Sequence, residues 1–158
     1  MQNNRSLGHG DADLVIQAIR ADMLKRGKAG VIAVADAQGE LIGLLRLDGA
    51  LVASVVIATN KAWTAARERK PTRELGQAAR DPHNGFDFAY YGDPRYVGWG
   101  GGLPVIVDGS VIGAVAVSGL SEEEDAELAR YGVEAFMDSL KKPALPKPSM
   151  RRRLSRDT

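Results

Sequence analysis

Cysteine is missing from all 158 residues. That one absence removes disulfides, thiolate metal sites and cysteine nucleophiles together. Histidine is nearly missing, with only His9 and His83 present, too few for a multi-histidine metal centre. No apolar run approaches the roughly 20 residues that span a bilayer. The opening MQNNRSLGHGD has no apolar core of a secretory signal, so a cytoplasmic address is expected by default. Charge of one sign is also lacking overall, the net being +1. That balance hides an asymmetry. Residues 141–158 carry seven basic groups and one acidic group, a net of +6, and the remaining chain carries 14 basic and 19 acidic groups, a net of −5. An acidic body argues against a nucleic-acid-binding fold, and no membrane partner is expected from a chain without a spanning run. The proline- and arginine-rich end is expected to be a disordered, dispensable tail, with binding of an acidic partner or nucleic acid as the alternative.

The 44% apolar and 26% charged composition is that of an ordinary globular chain, and its length suits one domain. The expected division is a flexible lead-in over 1–10, a domain over 11–140 and the tail. Residues 11–26 read as a helix, with Asp11 as its cap, an apolar stripe through Leu14, Val15, Ala18, Ile19 and Met23, and Gly27 as its stop. VIAVAD (31–36) and ELIGLLRLD (40–48) flank a short glycine-containing turn and read as a hairpin. The first of these strands has no polar alternation, so both of its faces need cover.

Residues 50–69 read as a second helix whose apolar first half, ALVASVVIA, is expected to be buried. Pro71 stops it and Thr72 is the expected cap of a short third helix to about Ala79. A second hairpin, PVIVD then SVIGAVAVSG around Asp108-Gly109, precedes a final helix opened by the Ser121 and Glu124 capping pattern. The order α-β-β-α-α-loop-β-β-α predicts an α/β (α+β) fold, an antiparallel sheet covered by helices.

The irregular stretch is 80–103, which holds six glycines and six of the nine aromatic residues. A long aromatic loop inside a small domain is often functional. Gly100, Gly101 and Gly102 offer backbone amides for an anion or simply a tight entry to the strand at Pro104. Arg46 and Asp48, two apart at a strand end, face the same way, as a carboxylate fork with a proton carrier, as a surface ion pair, or with Asp48 as a helix cap. Lys61 and Thr64 share a helix face beside an apolar stretch. A desolvated Lys61 there can hold an anion or carry a proton, or it simply snorkels to the surface. Arg95, Tyr96 and Trp99 are expected to close the same pocket, or else to pack the loop or a subunit interface. His9 and His83 are candidate axial ligands on irregular segments.

The runs VIAVADAQGELIGLLRLDGA, Lys61-Ala62-Trp63-Thr64-Ala65 and GGGLPVIVDGSVIGAVAVSG, followed by an acidic helix start with Asp125, resemble the GlcG/HbpS-like family. Its domain also forms the C-terminus of PduO-type corrinoid adenosyltransferases. The likeness covers about residues 10–140. The resemblance implies a profilin-like fold and a homo-oligomer. It also implies haem as a possible cofactor, since some members bind haem and others sit in catabolic operons. Three functions stay open at this point. One is a protein that binds haem or another small anionic molecule. Another is a cofactor-independent isomerase, tautomerase, hydratase or lyase acting on a carboxylate. The third is a non-catalytic accessory protein.

Overall fold

The computed structural model describes residues 4–143. The expected tail lies outside the described residues from 144 onward. The elements are α1 (His9–Lys25), β1 (Val31–Ala35), β2 (Leu41–Arg46), α2 (Ala53–Glu68), α3 (Thr72–Ala79), a 3₁₀ turn (Phe88–Tyr91), β3 (Gly102–Val107), β4 (Ser110–Ser118) and α4 (Glu122–Leu140). The strands form one antiparallel sheet in the order β2-β1-β4-β3. The expected α/β architecture is therefore the observed one. Pro104 falls on β3, an edge strand, where a missing N–H costs no ladder bond to a further strand.

Two different cores lie on the two faces of this sheet. On one face, Ile32 and Val34 of β1 and Val115 and Val117 of β4 meet Ile19 and Met23 of α1 and Leu128 and Phe136 of α4. On the other, Val31, Ala33, Ala35, Ala114 and Ala116 meet Ala58, Ala62, Ala65 and Ala66 of α2. Alanine on both partners brings the α2 backbone close to the sheet. This explains the continuous apolar reading of β1, all five residues of which are buried within a single chain.

The ends of the elements follow local chemistry. The Asp11 carboxylate accepts from Gly8 N–H at 2.8 Å, which starts α1 at His9 rather than at residue 11. The segment before it is anchored at Leu7, which is buried and whose N–H donates to Ile112 O at 2.8 Å. Gly27, at φ +64°, closes α1 as expected. Asp108 and Gly109 both take positive φ, as a two-residue hairpin turn requires. Ser121 Oγ accepts from Glu124 N–H at 3.2 Å and caps α4.

Two expectations about α2 are overturned. It begins at Ala53 with no side-chain cap, so Asp48 does not cap it. The large apolar residues at its start are the exposed part, with Leu51 and Val52 just ahead of it and Val56 within it largely in solvent, and its polar second half is the buried part, Lys61 through Ala66. The physical reason is the alanine stripe. Ala58, Ala62 and Ala65 recur at helical spacing and lie flat on the alanines of the sheet, whereas the larger Leu51, Val52 and Val56 precede that contact.

Candidate functional site

The centre of the site is Lys61. It is one of the largest fully buried side chains and lies in the middle of α2. Its ammonium donates to Val117 O and to Asp125 Oδ2, both at 3.0 Å. Asp125, in the first turn of α4, also accepts from Leu120 N–H at 3.1 Å through Oδ1. Burial lifts the Asp125 carboxyl above the usual carboxylate range against the opposing pull of Lys61. The pair ties α2 to α4 across the end of β4.

The glycine segment packs directly against this pair. A Cβ on Gly101, whose φ is +122°, would sit 2.6 Å from Val117 O, 2.8 Å from Asp125 Cβ and 2.9 Å from Lys61 Nζ. The sequence reading offered these amides to a ligand. Two of them are already occupied within the chain: Gly100 N–H donates to Glu122 Oε1 at 2.9 Å and Gly102 N–H to Thr72 Oγ1 at 3.0 Å. Thr72 is thus not the cap of α3; its hydroxyl donates to Trp99 O at 2.7 Å and holds the glycine segment in place. The segment is a tight entry into β3 that makes room for the Lys61–Asp125 pair.

Beside the pair opens a cleft of about 590 Å³, within the usual range for small-molecule sites. Lys61 and Asp125 are at its floor with Ser54 and Ser118. Leu51, Ile57, Leu120 and Trp99 supply apolar wall, and Glu122 and Arg80 border it. Arg80 also borders two neighbouring recesses.

Of the residues singled out from sequence, Lys61 and Trp99 line this cleft. Arg46 and Asp48 do not; both are exposed and neither is among its lining residues. Strand order parts Arg46 from the glycine segment it was expected to join. Arg46 ends β2 at one edge of the sheet and the glycines lead into β3 at the other. Three inter-strand steps of ~4.8 Å separate those edges.

Thr64, Arg95 and Tyr96 belong to a separate cluster around buried Trp63. Thr64 Oγ1 donates to Arg95 O at 3.2 Å and accepts from Val97 N–H at 3.1 Å, pinning the loop. The Arg95 guanidinium lies 4.2 Å from the Trp63 ring centroid, and that of Arg67 4.7 Å. Asp93 pairs with Arg95 at 2.8 Å and is held below the ordinary carboxylate range by that hydrogen bond. Tyr96 stacks on Tyr91 at 4.2 Å and meets Trp63 edge-on at 4.9 Å. These residues pack the loop.

The sequence reading missed Arg80, Glu122, Ser54 and Ser118 as members of a site, and used Asp125 only as part of a family motif. Asp125 carried a usable signal: it is the fourth of four consecutive acids, and in a helical first turn one of them must face inward. His83 lines an open neighbouring recess with Tyr90, and His9 is exposed at the start of α1. Among the described residues no group of three or more His, Cys, Asp or Glu is placed to hold a metal ion, and no helix is long and apolar enough to cross a membrane.

Comparison with known proteins bears on the family and the fold. A family model described as haem-degrading protein HbpS-like matches residues 7–134. An uncharacterised 15.0 kDa protein from the dhaT–dhaS intergenic region of Citrobacter freundii is 37% identical over 127 residues, covering 80% of this chain and 89% of that one. Protein GlcG of Escherichia coli K12 is 36% identical over 107 residues, covering 68% and 77%. Among solved structures, Klebsiella pneumoniae protein ORFY superposes with a TM-score of 0.80 at 32% identity, covering 87% of this chain and 94% of that one. A PduOC–haem complex superposes at 0.76 and 27% identity, covering 82% and 94%.

Proposed function

The chain belongs to the HbpS-like family, and from that footing we propose that it is a ligand-binding protein whose cleft beside Lys61 takes an amphipathic anion, with haem as the leading candidate. The observation that carries the reading is the build of the cleft: apolar walls over a polar floor, with Arg80 exposed at its border and in no ion pair with a described residue. The haem complex of the PduOC relative supports the choice of haem.

Haem makes three demands on a protein: an apolar slot, cations for its propionates and an axial ligand for its iron. The cleft offers the first two. It offers no axial donor, because no His, Met or Tyr lines it and the chain has no Cys. When bound, haem would bring its iron chemistry. This chain's residues would bind and orient the macrocycle, with Leu51, Ile57, Leu120 and Trp99 against its faces and Arg80 on a propionate.

Titration with haemin and with iron-free protoporphyrin IX tests the reading. Saturable Soret shifts of both, with affinities within about threefold of each other, are the expected result. Arg80→Gln should weaken both by roughly tenfold, as the loss of a charge-assisted hydrogen bond does. Non-saturable uptake by the wild-type protein would overturn the assignment.

One observation favours a second reading, a cofactor-independent enzyme acting on a carboxylate metabolite: a buried lysine–aspartate pair borders a ligand-sized cleft. Lys61 already donates to a carboxylate and a carbonyl, so it is arranged to hold and polarise an oxygen rather than to serve as a free base. Proton NMR of carboxylate metabolites incubated with the protein would reveal turnover.

A further inference from the structure

Ser54, in the first turn of α2, and Ser118, the last residue of β4, are each 4% exposed and both line the cleft. Neither hydroxyl is hydrogen-bonded to another described residue, and neither is sealed off; the sealed, unpartnered polar side-chain atom among the described residues is Trp63 Nε1. Buried hydroxyls that make no bond within the protein are normally satisfied by something that enters from outside.

Lys61 adds a third donor. An ammonium has three N–H groups, and two of them are used, on Val117 O and Asp125 Oδ2. Of the four oxygens on the neighbouring acids Asp125 and Glu122, three already have a donor within the chain. Both Asp125 oxygens are engaged, Oδ1 by Leu120 N–H and Oδ2 by Lys61, and Glu122 Oε1 is engaged by Gly100 N–H. The floor therefore presents donors contributed by α2 and β4.

We infer that this floor is a carboxylate seat: a ligand carboxylate enters head-first and accepts from Lys61 Nζ and from the Ser54 and Ser118 hydroxyls, while the rest of the ligand lies along the apolar wall. The inference rests on the ligand-binding reading above and names the end of the ligand that goes in first. A carboxylate has about four lone-pair sites for three donors, whereas a lone carbonyl oxygen has two. A phosphate would bring close to two charges toward Asp125 and Glu122, and it is disfavoured for that reason.

The test uses the full chain and its Ser54→Ala and Ser118→Ala variants, titrated with protoporphyrin IX and with its dimethyl ester. Each variant should lose roughly 10- to 100-fold in affinity for the diacid, the worth of one hydrogen bond to a charged group, and should bind the diester as the wild type does. Equal losses for acid and ester, or no loss for either, would overturn the seat while leaving porphyrin binding in place.

Should the wild type bind neither porphyrin, the porphyrin reading fails and the seat is read with benzoate against benzamide by amide NMR. Saturable shifts at Ser118 and Gly119 with benzoate alone, lost in the variants, would uphold the seat; their absence would overturn it. Melting temperatures add a separate check. The ligand-free variants should melt no lower than wild type, because no protein hydrogen bond is removed. A clear drop would show that the hydroxyls serve the fold and would also overturn the seat.

Discussion

Lys61 Nζ lies 3.0 Å from Asp125 Oδ2 with the two side chains 2% and 4% exposed, so each charge has the other where water would be. Removing one partner leaves the other buried and uncompensated, which typically costs about 3–5 kcal/mol. Lys61→Met is therefore expected to destabilise the fold by that order, and loss of function in that variant alone would not separate catalysis from stability. The double variant Lys61→Met/Asp125→Asn, which keeps an acceptor for Leu120 N–H, should recover most of the loss. Urea unfolding of the four proteins in the cycle checks this; a double variant as unstable as Lys61→Met would mean that the pair is not the unit of stability.

The pH dependence of folding carries two opposite signs. Asp81, Asp93, Glu123 and Glu127 are held below their ordinary range by hydrogen bonds, from the backbone at Asp81 and chiefly from Arg95 and Arg26 at Asp93 and Glu127. Their contributions are present above the unfolded-state pKa of about 4 and are lost as the pH falls through the lower folded values. Asp125 is raised by burial. Its contribution is complete below its unfolded pKa and is lost as the pH rises through the folded value. Asp125→Asn removes this second effect together with the partner of Lys61, so beneath a lower overall stability its decline with falling pH should be steeper than that of the wild type on the acid side of neutrality down to about pH 4. Urea midpoints across that range give the comparison, and parallel curves would contradict it.

Gly101 is expected to be among the least replaceable residues. Its φ of +122° and the 2.6 Å approach to Val117 O leave a methyl group nowhere to go. Gly101→Ala should cost roughly 3 kcal/mol, the upper part of the usual range for a point change. Gly109→Ala is the control, with φ +75° and open space around it, and should cost only the left-handed penalty of about 1–2 kcal/mol. Thermal denaturation of the two variants side by side decides the matter.

The exposed turn of α2 is where self-association is expected. Leu51, Val52 and Val56 are 71%, 72% and 62% exposed, and Val52 and Val56 share a helix face. A homo-oligomer should bury this surface, and Val52→Lys/Val56→Lys should yield monomers by light scattering at micromolar concentration. A monomeric wild type would remove the idea.

The hairpins and helices were legible because their punctuation is local: Asp108-Gly109, Gly27 and Ser121 act on neighbours a few residues away. Strand order was not, since the β1–β4 pairing that separates Arg46 from Gly100 joins residues more than 80 positions apart, Val31 with Ser118. The burial of α2 was misread from its bulk hydrophobicity. The informative pattern was the small-residue stripe Ala58, Ala62, Ala65, whose partners Ala33, Ala114 and Ala116 become visible only once the sheet is assembled. Lys61 was found from its residue type and apolar surroundings. Asp125 as its partner, and Ser54 and Ser118 beside it, needed three-dimensional proximity that no sequence spacing encodes.

The first turn of α4 spends its acids in different places. Glu122 reaches the Gly100 amide, Glu123 reaches Arg73 of α3 at 2.9 Å, Glu124 approaches Lys28 at 3.9 Å, and Asp125 meets Lys61 of α2. Successive helical residues point about 100° apart, so this fan of directions depends on the numbering of the turn as much as on its composition. Inserting or deleting one residue between Ser121 and Asp125 would rotate every acid onto its neighbour's target. Lineages of this chain should accordingly vary in length elsewhere, at the turn of Asp36–Gly39 for example, and hold this five-residue stretch to a constant length even where the individual acids change.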